Sequence, residues 1–258
     1  MFIDSHAHLN DDKLYSNVEE IIENSKINNV DIIICSSYDY ESSKRALQIC
    51  QNHKNVFCSL GIHPHDAKSY TDEVEQFIIN NAQNSQVKAI GEIGLDYYYD
   101  LSPREIQKEV FKKQILLAHK LGLPVVIHTR DSIGDTLSIL KEYESYLTNG
   151  VLIHCFNASL KIVKIINERG YYVSFGGAIT FKNAKNLIEV VKNIPLERIL
   201  LETDCPYMTP EPYRGKINEP KNIPIIAKKL AEIKEISVEI VQEVTTKNAK
   251  KFFNIGEK

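Results

Sequence analysis

Histidines and acidic residues follow most of the short apolar runs of this sequence. In chain order these residues are His6, His8, His63, His65, Glu92, His128, His154 and Asp204. Imidazole nitrogens and carboxylate oxygens are side-chain ligands of zinc and of several other divalent metals. Two such ions held close together can activate water and stabilise the charge that develops on a phosphate during hydrolysis. The pattern therefore indicates metal-assisted hydrolysis.

The His6-x-His8 pair follows an apolar run at the start of the chain. Residues i and i+2 of a strand point to the same side, so both imidazoles can reach one ion from a single rigid segment. Asp4 has the same parity and could support them. The motif alone is weak evidence, because histidines at this spacing also occur in ordinary strands.

Two further histidines and two acids lie at equivalent places. His128 and His154 each close an apolar run, and either one alone is typical of a hydrogen-bonded core histidine. Because both histidines lie at the same level of adjacent predicted strands, however, the two together indicate metal ligands. Glu92, facing histidines, is expected to bridge two ions. Asp204 follows a buried-looking strand, where an uncompensated carboxylate is costly, and Glu202 shares its parity as possible support.

Strand-like and helix-like segments alternate along the chain, which predicts a parallel sheet covered by helices. The predicted strands are Phe2–Ile3, Val30–Cys35, Val56–Leu60, Val87–Ile93, Leu123–Ile127, Val151–Ile153, Tyr171–Ser174 and Ile199–Leu201. Predicted helices include residues 18–27, 40–51, 71–84, 102–121, 158–169, 181–193, 223–236 and 238–253, the last capped by Ser237. Eight strands favour an α/β fold of the (β/α)8 TIM-barrel type over an open sheet, with residues 1–258 as a single domain. Active sites of such barrels lie at the carboxyl ends of the strands.

Composition narrows the class of protein. The chain has 258 residues, 43% of them hydrophobic, and its apolar runs are too short to span a membrane. Five cysteines without a C-x-x-C pair, and an amino terminus unlike a secretion signal, predict reduced thiols and a cytoplasmic protein. A net charge of -3 excludes the general basic field of a protein that coats duplex DNA, so any phosphate binding must be local. The oligomeric state stays open, with a monomer among the possibilities.

Motifs across the whole chain resemble the TatD family of metal-dependent deoxyribonucleases, within the amidohydrolase superfamily. The matching stretches are FIDSHAHL at 2–9, GIHPHDA at 61–67, AIGEIGLDYY at 89–98, PVVIHTRDS at 124–132, LIHCF at 152–156, LLETDCPYMTP at 200–210 and RGKINEP at 214–220. Cys205 is a small departure, since Ala or Ser is more usual after this aspartate.

The resemblance implies two divalent metal ions and a DNA substrate. His6, His8 and Asp204 would hold one ion, His128 and His154 the other, and Glu92 both. Asp204, Glu92 and His63 would be catalytic, and His63, Arg130 and Arg214 would lie near the phosphate. The ligand types would accept Zn, Mn, Co or Mg. The implied activity is a 3′–5′ exonuclease acting on single strands or 3′ ends.

Other functions remain open at this point. The same metals could serve an aminoacyl-tRNA deacylase or another ester or amide hydrolase, because the ligands only activate water. A third possibility is a binding module that keeps a metal without catalysis. The alternative interpretation of Arg130 is a surface salt bridge, and that of Tyr97 to Tyr99 is packing under a loop rather than stacking on a base.

Overall fold

The computed structural model describes residues 1–256, and in this range strands alternate with helices in the predicted order. The strands are β1 Phe2–Ala7, β2 Val30–Ser36, β3 Val56–Leu60, β4 Val87–Asp96, β5 Val125–Arg130, β6 Val151–Ile153, β7 Tyr172–Phe175 and β8 Ile199–Leu201. The helices are α1 Asp12–Tyr15, α2 Val18–Ile27, α3 Tyr40–Asn52, α4 Asp72–Asn81, α5 Arg104–Leu121, α6 Ile133–Glu142, α7 Leu160–Arg169, α8 Lys185–Asn193, α9 Ile223–Lys234 and α10 Val238–Phe253. Strand order follows chain order from β1 to β8. This is the parallel α/β arrangement that the sequence predicts.

Two compact units make up the chain. The terminal unit contains Met1–Ile34 and the chain from Cys155 onward, and the central unit is Cys35–His154. In the central unit β3, β4, β5 and β6 pair in parallel, in that order. In the terminal unit β7 pairs in parallel with β8. The prediction of a single domain stays a prediction.

Apolar strand residues and one face of each helix form the core of the two units. Ile90, Ile93 and Ile127 of the central strands are fully buried, as are Phe111 and Ile115 of α5. Burial of apolar area of this kind is the main stabilising contribution to folding.

Buried amides fix the strand ends of the central unit. Gln114 of α5 accepts a hydrogen bond from the backbone nitrogen of Ile62 at 2.8 Å and donates to its carbonyl at 3.0 Å. Gln107 does the same for Asp96, at 2.9 and 3.1 Å. Each helical amide thereby satisfies backbone groups that a sheet end leaves unpaired.

Two helices differ from the sequence prediction, and the cap of a third helix agrees with it. Helix α6 was not predicted. Among its strongly apolar residues, only Ile139 and Leu140 are buried. Helix α8 begins at Lys185 rather than near residue 181, since residues 177–180 form a separate turn of 3-10 helix. At its amino end, α10 is capped as predicted: Ser237 accepts a hydrogen bond from the nitrogen of Ile240.

Strand β4 is longer than predicted, and the extra residues bear on the site. It continues past Ile93 to Asp96, which pairs with Arg130 of β5. Gly94 lies inside this stretch with φ of 142°, where a Cβ atom would come within 2.0 Å of the His128 carbonyl oxygen. Only glycine permits this close approach of the two strands.

Candidate metal centre

In the terminal unit the end of β1 and the segment after β8 bring two histidines and an aspartate together. The nitrogen of Asp204 donates to the carbonyl of His6 at 2.9 Å, and that of His8 donates to the carbonyl of Cys205 at 2.8 Å. These backbone bonds join the end of β1 to the segment after β8. The His6 and His8 Nε2 atoms are 3.3 Å apart, and Asp204 Oδ1 is 3.9 and 3.3 Å from them.

The spacing of these three atoms fits a divalent ion. Tetrahedral ligands at the usual metal distances of about 2.0–2.1 Å are separated by about 3.3 Å from one another. Both histidines are buried, His6 completely. The strand parity that links His6 and His8 in the sequence therefore places their Nε2 atoms as one ion requires.

Asp4 supports the terminal cluster through the backbone rather than through an imidazole. Its carboxylate accepts hydrogen bonds from the Thr203 nitrogen at 2.9 Å, the Thr203 hydroxyl at 2.5 Å and the His6 nitrogen at 3.3 Å. Burial raises the pKa of the Asp4 carboxyl to about 8, against the opposing effect of these bonds. Asn218 donates to the Thr203 carbonyl from the other side, at 2.8 Å. Thr203 is thus held at both ends immediately before Asp204.

Glu202 is buried and accepts hydrogen bonds at both of its carboxylate oxygens. Its two oxygens accept from the Ser174 hydroxyl at 2.5 Å and from the Cys155 nitrogen at 2.7 Å. It therefore ties the ends of β7 and β8 to the residue after His154 in sequence.

In the central unit Glu92, His128 and His154 form a second cluster. The Glu92 Oε1 atom is 2.6 Å from His154 Nε2 and 2.9 Å from His128 Nδ1. The two imidazole nitrogens are 3.3 Å apart. His63 Nε2 lies 3.6 Å from the same carboxylate oxygen. The spacing of the two imidazole nitrogens is that of ligands around one ion, and the two contacts to Glu92 are at hydrogen-bond distance.

Asp96, which the sequence analysis did not assign to the site, fixes His128 from behind. Its Oδ2 atom is 2.9 Å from His128 Nε2, so the opposite nitrogen, Nδ1, faces Glu92. The same oxygen lies 3.1 Å from His65 Nε2. Carboxylates in this position commonly orient metal-binding histidines. Asp96 has the strand parity of Glu92, and a strand predicted to run three residues further would have revealed it.

Burial and neighbouring charges shift the pKa values of three residues in the central cluster. Burial opposes ionisation of Glu92, but the neighbouring His154 and His63 imidazoles hold its pKa well below the usual range. Burial and the nearby His128 lower the pKa of His63, which favours a neutral ring. The pKa of His128 is raised, because hydrogen bonds to Asp96 and Glu92 outweigh its burial. The lowered pKa favours the ionised carboxylate of Glu92, which is the form that binds a cation.

The predicted phosphate-binding residues fall into both units. His63 Nδ1 accepts a hydrogen bond from the His65 nitrogen at 3.1 Å, which leaves its Nε2 as the N–H donor. The Arg130 guanidinium stacks on Tyr98 and Tyr99 and has no hydrogen bond or ion pair within residues 1–256. Its interpretation as a surface salt bridge is therefore wrong. Arg214, in the terminal unit, stacks on Phe181, with 4.2 Å between the guanidinium carbon and the ring centre.

Strand order and the two ligand clusters define the class of protein, a metal-dependent hydrolase with a (β/α)8 fold. The chain belongs to the TatD family, since the family described as TatD related DNase matches residues 3–254. Over 256 residues it is 43% identical to YabD of Bacillus subtilis, an uncharacterized metal-dependent hydrolase, covering 99% of this chain and 100% of YabD. YcfH of Escherichia coli, with the same description, is 34% identical, covering 98% of this chain and 96% of YcfH.

Solved structures agree with this assignment. The crystal structure of YJJV, a TatD homologue from Escherichia coli, matches with a TM-score of 0.93 and 27% identity, covering 98% of each chain. An uncharacterized amidohydrolase from Saccharomyces cerevisiae, at 18% identity and a TM-score of 0.88, shares the fold. Within residues 1–256, no helix is long and apolar enough to cross a membrane.

Proposed function

We propose that this protein is a deoxyribonuclease that hydrolyses phosphodiester bonds from the 3′ end of an accessible DNA strand. The observation that carries the proposal is the pair of ligand clusters together with the Arg130 guanidinium two residues beyond His128. A cation without a carboxylate partner, beside a set of metal ligands, suits a phosphate.

Two divalent ions are part of the proposal. His6, His8 and Asp204 would hold one and His128 and His154 the other, with Glu92 as a ligand of both, as the family resemblance implies. Bound ions would lower the pKa of a coordinated water and offset the charge of the phosphate. Their identity among Zn, Mn, Co and Mg stays a prediction, although the histidine content argues against a site for Mg alone.

The chain's own groups have distinct proposed roles. Asp204 accepts the proton of the attacking water, since its carboxylate already lies among the ligand atoms. His63 presents an N–H at Nε2 and donates a hydrogen bond towards the leaving oxygen. Arg130 and Arg214 bind the nonbridging phosphate oxygens, and Asp96 holds His128 in orientation.

Preference for a DNA end follows from the charge of the chain. At a net charge of -3 the protein lacks a general field for long duplex DNA, so affinity must come from the ions and a few side chains. A terminal phosphodiester of a single strand reaches such a site more easily than one inside a stiff duplex. Cytoplasmic localisation is also proposed, from the five free thiols.

The test is a digestion time course on single-stranded oligonucleotides labelled at the 5′ or the 3′ terminus, with Mn or Mg added. We expect stepwise shortening from the 3′ end, blocked by a 3′-terminal modification and absent in Glu92→Gln. Internal cuts in closed circular DNA at a similar rate would contradict the end preference. Cleavage of aminoacyl esters without any nuclease activity would favour the deacylase instead.

A further inference from the structure

Two tyrosines of the central unit are exposed beside the candidate metal centre. Tyr98 and Tyr99 follow β4 and keep 57% and 53% of their surface exposed. Their rings meet edge to face, with centroids 4.9 Å apart. Tyr97 differs, because its hydroxyl donates to Asp135 at 2.7 Å and the Arg104 guanidinium covers its ring. Of the three tyrosines in this run, the second and third therefore keep the larger exposed surface.

Arg130 joins these rings into one surface, here called the tyrosine platform: Tyr98, Tyr99 and Arg130. The guanidinium carbon lies 3.9 Å from the centre of the Tyr98 ring and 4.8 Å from that of Tyr99. Stacking on an aromatic face leaves the N–H groups at the edge of the guanidinium free to bind an anion.

A buried carboxylate holds the backbone of the two platform tyrosines. Asp96 Oδ1 accepts hydrogen bonds from the nitrogens of Tyr98 and Tyr99 at 3.0 and 2.8 Å. Its other oxygen contacts His128 and His65. Gln107 also donates to the Ser102 carbonyl at 2.8 Å, which fixes the far end of the same loop. One residue thus places the tyrosines and a candidate metal ligand relative to each other.

We propose that the tyrosine platform binds a nucleobase of single-stranded DNA, next to the phosphodiester that is cut. This inference rests on the proposed deoxyribonuclease function and names the part of the strand that the site recognises. Exposed aromatic rings stack on bases of any sequence, and a neighbouring cation tracks the phosphate. The Tyr99 ring is 5.3 Å from that of His65, which lies in turn 6.3 Å from His128, so a base on the platform lies close to the ligand cluster.

The first experiment measures binding directly. A single-stranded oligonucleotide with 2-aminopurine as its 3′-terminal base and phosphorothioate linkages, which resist cleavage, is titrated with Mn-loaded protein. Stacking on tyrosine quenches 2-aminopurine, so we expect quenching with the wild type and its loss in Tyr98→Ala/Tyr99→Ala. The Tyr98→Phe/Tyr99→Phe variant keeps the rings and should keep the quenching. Tyr146→Ala removes another exposed tyrosine of the central unit and is the matched control.

The second experiment measures cleavage of natural strands and of strands with abasic sites at the terminal positions. For the wild type we expect kcat/KM about tenfold higher on the natural strand, from the usual contribution of base–aromatic stacking. The double alanine variant should show no such preference. The platform would be overturned if the preference persisted in that variant. It would also be overturned if the wild type cleaved both strands equally and showed no quenching. Either result would leave the nuclease proposal intact. Quenching without cleavage would overturn the nuclease proposal and leave the platform.

Discussion

The two ligand clusters contain the same types of ligand atom but are held in place differently. In the terminal unit, backbone bonds between the end of β1 and the segment after β8 set the distance between His8 and Asp204. In the central unit, side-chain contacts set the position of the ligands, since His128 is held between Glu92 and Asp96. A cluster set by the backbone should tolerate changes of nearby side chains better than one set by side-chain hydrogen bonds. Substitutions in each cluster test this difference.

The largest effect is expected for Glu92→Gln. Loss of the charge should weaken both ion sites, because the proposal makes this carboxylate a ligand of both. We expect turnover to fall at least about a hundredfold, a loss of the order that removal of one important charged group causes. His154→Ala should mainly remove one ion. Metal analysis beside turnover measures both effects, and near-wild-type turnover in both variants would rule out the shared ligand.

Asp96→Asn should have the next largest effect, and it tests the side-chain support of the central cluster. Loss of a carboxylate behind a metal-binding histidine typically costs about 10- to 100-fold in metal affinity or activity. The measurement is a metal titration followed by turnover. Asp135→Asn is the matched control, because this carboxylate contacts Tyr97 and Lys108 on the exposed surface. An Asp96→Asn protein that binds both ions normally would show that the cluster does not need this support.

Arg130→Lys should reduce binding of phosphate without emptying either cluster. Lysine keeps the charge but loses the planar fork and the stacking on Tyr98. We expect KM for an oligonucleotide to rise several-fold, on the order of 1 kcal/mol, with an unchanged metal content. Loss of metal in this variant would mean that Arg130 belongs to the support of His128.

Thr203→Val should have the smallest effect, on stability rather than on metal. The hydroxyl that donates to Asp4 is lost, while the backbone bond from Asp204 to His6 remains. A missing buried hydrogen bond costs about 1–3 kcal/mol in the free energy of unfolding. Urea unfolding measures the stability, and metal analysis measures the bound metal. The control is Thr246→Val, because the Thr246 hydroxyl donates to the carbonyl of Met1. Loss of metal from Thr203→Val would contradict the backbone-set cluster.

Much of the candidate site could be predicted, because the sequence indicates where each strand ends and which of its residues point to the same side. The pair His6 and His8, and the groups Glu92, His128, His154 and Asp204, follow from these two rules. Asp96 was not predicted, because Gly94 looked like the end of the strand. In the structure this glycine allows β4 and β5 to approach each other closely, and β4 continues to Asp96. Whether a tyrosine is packed or exposed depends on partners distant in sequence, such as Asp135 for Tyr97. Only the structure could distinguish these rings.

Gly94 has a consequence for anyone who wants to change the specificity of this protein by directed evolution. A side chain there would collide with the carbonyl of His128, so a library that varies this position should contain mostly inactive proteins. Positions 98 and 99 are the opposite case, since their side chains face solvent while Asp96 holds only their backbone. Libraries confined to those two codons would explore new substrates with little risk to folding.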